Sequence, residues 1–565
     1  MTELPKFSFN LVAQPCVPVL DEKGKPQTLS LRDTLVRAHE LKEIHHCSPI
    51  VTAALVRLSV AILTDVHPIK RASQWSSLWI RRSFDSIAID AYLQTHKDRF
   101  DLFHEQYPFY QCAALDDDAP INMNLLAAEL STGNNPTLFD HSIDTVERDY
   151  SPVEAFHLLL ATQSFALAGL LRRTTRLKGE PEPLYWQSAY GGALIPGAMI
   201  WLTGDNLFET LCLNLAPLTA LDSEEDDELG ETAEDRPIWR QDRPEALRDR
   251  QDNKVIRKIA PRGTRDRLTF QSRLIRLLPE WSEGEIVVRR AAFNHGRSLD
   301  AMAQYSFDPM LSYTPSKKEG WLVTRLSAER ATWRDSHALM GLNDRTGGKL
   351  QRVTPRALHL LHANLSSNIP ALEPSRTLRL NVAGLANDQA KILLWRHDRL
   401  DAPAKVLCDP DMAQCVESLL TDAREIAFIL RTATRRLCEL FIAPYSVDAK
   451  GKQVEGAMKA DPDRVTALAD AVDSRPTYWA RLESAFQHLL LTLGADPDGA
   501  SEQWKNRVQD EARIAFTEVI ASLGDSPQTF KAAALVNPYF IVPSRQTKPV
   551  AAGGKNKLKI KENPA

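Results

Sequence analysis

Apolar residues recur along this chain at two different periods, and the period changes with position. Near the N-terminus, FNLVAQPCVPVL (9–20) reads as a strand closed by the turn DEKGKP. Residues 29–44 and 49–64 read as helices, the second with Ala53, Leu55, Leu58, Val60 and Ile62 at helical spacing. Residues 85–97 read as a further helix, followed by the aromatic, irregular FDLFHEQYPFYQ. Ser151, Pro152 and Glu154 open a helix over 151–172 with a capping box, and proline stands where its missing N–H costs nothing. GDNLFETLCLNL (204–215) starts another helix. From 267 to 327 the pattern turns to strands, in LTFQSRLIRLL, GEIVVRRAAF and GWLVTRL. Residues 377–400 read as strand, glycine-containing loop and strand.

After Pro403 the period becomes helical throughout. In 410–442 apolar residues recur at 412, 416, 419, 423, 426, 430, 437 and 441, an amphipathic helix of many turns. Two later segments repeat the style, so an antiparallel helical bundle is predicted at 404–545. An α+β domain occupies 1–403, and a polar, basic, disordered tail occupies 546–565. A charged, proline-punctuated excursion at about 220–262 interrupts the first domain.

Charge changes this picture little. The net charge is −4, and the run DSEEDDELGETAED (222–235) supplies much of the acidity. A local basic stripe is compatible with an acidic chain. Seven widely spaced cysteines with no CxxC argue against a disulfide framework and a structural zinc site. The N-terminus has no signal-peptide pattern, and no run of about 18 uninterrupted apolar residues is present, so a cytoplasmic chain without a membrane span is expected.

Catalytic constellations are mostly missing. RTGGKLQ (345–351) is the nearest approach to a phosphate-binding loop, but Leu350 stands where a hydroxyl must reach magnesium. His45 and His46 are adjacent, and on a helix they diverge by about 100°. His397-Asp398 is the dipeptide of metal-dependent phosphohydrolases without obvious further ligands, and it leaves a metal-dependent nuclease as one alternative. No catalytic residue, metal or cofactor is assigned. The basic features are of another kind. Arg424, Arg431 and Arg435, at spacings of seven and four, share a helix face that could follow a phosphate backbone or be solvated and paired with acids. Arg262, Arg265, Arg267, Arg289, Arg290 and Arg297 add positive charge in the middle of the chain.

Six segments, taken in order, resemble one family. They are FNLVAQPCVPV, FDLFHEQYPFYQ, NNPTLFDHS (134–142), GDNLFETLCLNL, RPIWRQD (236–242) and LTFQSRLIRL (268–277). The chain resembles the CasA family, the large subunit of the type I-E CRISPR Cascade complex, colinearly over about 9–445. The resemblance implies that the C-terminal bundle has four helices. It also implies a non-catalytic subunit at the 5′ end of the crRNA that contacts the other Cascade subunits. Such a subunit checks double-stranded target DNA for a protospacer-adjacent motif (PAM) from the minor groove, helps open the strands, and recruits a helicase–nuclease. The family's wedge glutamine matches Gln389 in AGLANDQAKILLWRHD, beside Asn387 and Asp388, with the small residues Ala383, Gly384, Ala386 and Ala390 around it. Its crRNA and PAM loop matches Phe139, Asp140 and His141. Its minor-groove glycine loop matches Gly191 and Gly192 in QSAYGGALIPG. No lysine stands at the place of its basic finger, and Arg297 is the nearest basic residue. A purely structural scaffold for crRNA and protein is the second alternative.

Overall fold

A computed structural model describes residues 6–127, 146–171, 175–178, 187–189, 191–217, 234–242, 250–251, 255–256, 258–300, 307–318, 320–346, 349–367, 370–388, 391–448, 450, 452–455 and 457–536. Helices and sheets are mixed, in two compact units: residues 1–420 with 484–502, and residues 421–483 with 503–565.

The first unit is organised around the helix Pro49–Val66, which packs against the helices Pro152–Phe165 and Thr264–Leu268 and against the strands Thr377–Asp388 and Lys391–Pro403. This helix is long and apolar enough to cross a bilayer, and 83% of it is buried inside the protein, as for the core helix of a globular fold. At its centre Arg57 is held in a bidentate pair by Asp308, with bonds of 2.9 and 2.6 Å. Three antiparallel three-stranded sheets belong to this unit. They comprise Val17–Asp21 with Pro26–Leu29 and Leu41–Ile44, Arg273–Ser282 with Glu285–His295 and Ile121–Asn122, and Lys391–Pro403 with Thr377–Asp388 and Met199–Thr203.

Local sequence chemistry explains several elements directly. The capping box forms: the Ser151 hydroxyl accepts from the Glu154 amide, while the Glu154 carboxylate accepts from the Ser151 amide. That helix ends at Phe165, short of 172. Residues 29–44 are not one helix. The strand Pro26–Leu29 gives way to a short helix, Leu31–Val36, and a second strand, Leu41–Ile44. Two helices, Ala72–Arg81 and Arg356–Leu365, were not expected.

The division between units differs from a boundary at 403. Residues 404–420 and 484–502 belong with the first unit, because they pack there. A Cβ on Gly494 would lie 3.2 Å from the Val406 side chain, and the Trp333 and Phe486 rings stack at 4.9 Å. The second unit is helical, and side-chain ties link its helices. Tyr478 of the helix Arg475–Leu493 donates to the Ala423 carbonyl of the helix Pro410–Ile442 at 3.1 Å. Arg481 bonds Glu518 of the helix Pro497–Ser522 at 2.5 Å. The helices Pro462–Ala471 and Pro527–Val536 complete the described set.

A cluster of buried charges holds the first unit together. Arg265, Asp266 and Arg267 are consecutive and all nearly inaccessible. Arg265 reaches Asp65 at 2.7 Å, Asp266 takes both terminal nitrogens of Arg297 at 2.6 and 2.8 Å, and Arg267 reaches Asp308 at 3.0 Å. Burial works against the Asp266 and Asp308 carboxylates. The facing guanidinium groups outweigh it and hold both below the ordinary carboxylate range.

Two outcomes are expected. Since both folded-state pKa values are depressed, the stability they contribute is complete above the unfolded carboxylate value of about 3.9. It is lost as pH falls through the lower folded values, so urea unfolding midpoints should hold at neutral pH and drop steeply only below about pH 4. Arg297→Ala, which strands the buried Asp266, should cost about 3–5 kcal/mol in the same assay, whereas a joint Asp266→Asn, Arg297→Met replacement should cost clearly less.

Candidate nucleic-acid interface

The strands Thr377–Asp388 and Lys391–Pro403 form one long hairpin. Its register runs from Thr377 opposite Pro403 to Asp388 opposite Lys391, with one slip between Ala386 and Asn387. Alternation builds it: Leu378, Leu380 and Val382 are buried on the sheet that also pairs Arg379–Ala383 with Met199–Thr203. Gly384 is not in a loop, as expected from sequence, but inside the strand opposite Arg396. A Cβ there would come within 3.1 Å of the Gly197 carbonyl oxygen and 3.2 Å of the Ala198 Cα. The small residues Ala383, Gly384 and Ala386 therefore allow the protein's own backbone to approach.

The neighbour they admit is the segment carrying the glycine pair. The Gly192 amide donates to the Ala166 carbonyl at 2.7 Å, and a Cβ on Gly192 would lie 2.6 Å from the Ser164 carbonyl oxygen. The Leu194 amide bonds the Ser164 carbonyl at 2.9 Å. Arg267, from the buried charge cluster, donates to the Ala193 carbonyl at 3.0 Å. Beyond Gly197 the chain enters the strand Met199–Thr203 alongside the hairpin. Gly191 and Gly192 are thus brought into one substructure with the hairpin, and the glycine at 192 is required by packing on the end of the helix Pro152–Phe165.

Other predicted residues are placed differently. Gln389, Ala390, Phe139, Asp140 and His141 lie outside the described residues. Asn387 and Asp388 end the first hairpin strand. Arg297 is corrected as a basic finger: it is 2% exposed, paired with Asp266, and lies 4.2 Å over the Phe270 ring, so the folded chain has no such finger at this residue. The other central arginines are paired with acids of this chain as well, though nearer the surface. Arg289 pairs with Asp149 and Glu280, Arg290 with Glu280, and Arg262 with Glu234. On the helix Pro410–Ile442 the three arginines are not equivalent. Arg431 donates to the Ala469 carbonyl at 2.6 Å and pairs with Asp470. Arg424 is half-buried and Arg435 is exposed.

His397 and Asp398 are successive residues of one strand, so their side chains leave opposite faces of the sheet. His397 bonds Asn381 at 3.0 Å and stacks on Trp201, while the Asp398 carboxylate accepts from the Thr332 amide at 3.3 Å. Burial, reinforced by Arg399, lowers His397 to about 4 and leaves it neutral at pH 7. His45 and His46 are not helical but follow the strand Leu41–Ile44, and the His46 Nδ1 accepts from the Ser48 amide. These histidines line a half-open cavity of about 250 Å³ with Trp201, Asn381, His397 and Arg399. Sequence reading missed this cavity because its walls come from three distant segments. Among the described residues no group of three or more His, Cys, Asp or Glu side chains could hold a metal ion.

The comparisons agree with one another. The sequence model of the family described as CRISPR-associated protein Cse1 matches residues 10–515. A curated relative, CRISPR-associated protein CasA/Cse1 of Thermus thermophilus, is 30% identical over 530 residues, covering 93% of this chain and 95% of the relative. The crystal structure of Cse1 from Acidimicrobium ferrooxidans superposes with a TM-score of 0.74 at 25% identity, over 95% of this chain and 98% of that one. A chain of a CRISPR RNA-guided surveillance complex shares the fold, with a TM-score of 0.70 at 22% identity over 95% of this chain and all of that one (100%).

Gly192→Ala should lower stability by about 1–3 kcal/mol, read as a lower thermal midpoint, because the added methyl meets backbone rather than a movable side chain. Arg431→Ala should lower the thermal midpoint and leave the salt dependence of DNA binding unchanged. Arg435→Ala should do the reverse, flattening the slope of log affinity on log salt by roughly 1 if that residue meets a phosphate.

Proposed function

This chain belongs to the CRISPR-associated Cse1 (CasA) family of type I-E Cascade large subunits, and from that membership we propose that it reads the PAM in target DNA and starts strand separation with the Thr377–Pro403 hairpin. In this reading Gln389 is the wedge, carried between the paired ends Asp388 and Lys391. Asn387 and Asp388 flank it, and Gly191 and Gly192 line the approach. Phe139, Asp140 and His141 belong to the loop facing the crRNA and the PAM. The work is done in the cytoplasm, beside the other Cascade subunits and the crRNA. The chain itself catalyses nothing and recruits a helicase–nuclease once the target is open.

One observation supports this most: the hairpin is seated on the glycine segment through Gly384 and Gly197, so two separately matched pieces of the family's DNA-reading apparatus are neighbours. The chemistry is suited to the task. Splitting a base step costs roughly a few kcal/mol, and glutamine, long and uncharged, can both donate and accept at the exposed base edges. The minor groove separates A·T from G·C and little more, so a short and permissive motif is expected, with sequence specificity left to guide pairing. The divergence of His397 and Asp398 on opposite faces of one strand, each bonded to another partner, speaks against a metal site shared by the two.

The test uses the chain assembled with its partner subunits and crRNA. Gln389→Ala should weaken binding of a duplex target at least about tenfold, which corresponds to about 1.4 kcal/mol, and spare a target already opened beside the motif. Equal affinities of variant and parent for both targets would favour a pure scaffold.

A further inference from the structure

The hairpin is tightly packed up to a definite point. Leu385 and Ala386 are 2% and 3% exposed. At the next step the register slips: Ala386 faces Leu394 and Asn387 faces Ile392, which leaves Leu393 as an extra residue without a cross-strand partner. Leu393 is 57% exposed, while Leu394 and Trp395 are half-buried.

Two features separate this leucine from ordinary surface apolar residues, which need no explanation singly. Its strand, Lys391–Pro403, is the edge of the three-stranded sheet, and it carries ILLW at 392–395. Edge strands with a run of exposed apolar residues invite pairing with other chains, and folds normally blunt them with charge. Secondly, the exposed member of the run is the bulged one. A bulge inserts one residue and re-aims its side chain, and bulges concentrate beside functional sites. Here the bulge lies at the boundary between the packed body of the hairpin and its last paired residues, two positions from Lys391.

We propose that Leu393 is a second DNA-contacting residue of the hairpin, packing its apolar side chain against the base or deoxyribose uncovered beside the opened step. This rests on the wedge reading of the hairpin and deepens it. A glutamine amide supplies hydrogen bonds but little apolar surface. Separating a base step exposes stacked apolar faces that hydrogen bonds do not cover, and proteins that unstack DNA commonly use leucine, isoleucine, methionine or phenylalanine for that part. The bulged leucine brings this chemistry beside the last paired residues of the hairpin, Asp388 and Lys391.

The experiment uses the full chain in its assembled complex, with Leu393→Ala, Leu393→Met and Gln389→Ala measured side by side. Targets are a fully paired duplex and the same duplex pre-opened beside the motif. Leu393→Ala is expected to weaken duplex binding roughly tenfold and to leave the pre-opened target within about twofold. Leu393→Met, which keeps the apolar surface, should bind both like the parent, and unchanged thermal midpoints will show that the hairpin still folds. If Gln389→Ala loses duplex binding while Leu393→Ala does not, the inference is overturned and the wedge reading stands. If Leu393→Ala weakens both targets equally, the leucine meets a protein subunit or the guide, and the inference is again overturned. If neither variant separates the two targets, the wedge reading falls and takes this inference with it.

Discussion

Three consecutive buried charges, Arg265, Asp266 and Arg267, set the position of nearly everything that matters in the larger unit. Each points to a different part of the chain: Asp65 at the end of the central helix, Arg297, and Asp308. Arg57 closes the circle from the middle of that helix, bonding Asp308 together with the Arg267 and Leu268 carbonyls. Removing ions from water costs several kcal/mol each, so such a cluster persists only when every charge is answered. Its value lies in specificity of arrangement rather than in net stability. Arg267 also holds the Ala193 carbonyl. The glycine segment is therefore positioned by an electrostatic tie, and the hairpin that rests on it through Gly384 inherits that position.

This use of arginine reverses what composition alone suggests. Arg297 and Arg265 look like free cations in the sequence because their carboxylate partners are remote: Asp266 is 31 residues from Arg297, and Arg265 pairs with Asp65 of the central helix. Spacing along the chain carries no information about such partners. A cation count thus overstates the positive charge available to a phosphate backbone, and the contrast between Arg431 and Arg435 on one helix makes the same point locally.

What was legible depended on range. The central helix, the capped helix from Pro152 and the helix Pro410–Ile442 follow from periodicity and capping within a few turns, and all three form. The stretch 29–44 was misread because its apolar residues fit either period, and pairing with Val17–Asp21 decided for strand at its end. The helix end at Phe165 escaped notice because it is imposed by Gly192 closing against Ala166 from 26 residues away. The glycine pair was recognised from its residue type, but the reason for it lies inside the fold. The histidine-lined cavity was invisible altogether, since no single segment contains more than a part of it.

The long hairpin is supported in stages. Strands of twelve and thirteen residues reach roughly 40 Å at about 3.3 Å per residue. Over that length an unsupported two-stranded ribbon would twist freely, since an isolated hairpin is marginal in water. Support is graded. The third strand pairs as far as Ala383, backbone contact with Gly197 and Ala198 holds Gly384, and side-chain burial continues to Ala386. Only beyond that point does the register slip, and the bulge adds local twist where the body no longer constrains it. The supported body of the hairpin is thus tied, through Gly384, the glycine segment and Arg267, to the buried charge cluster.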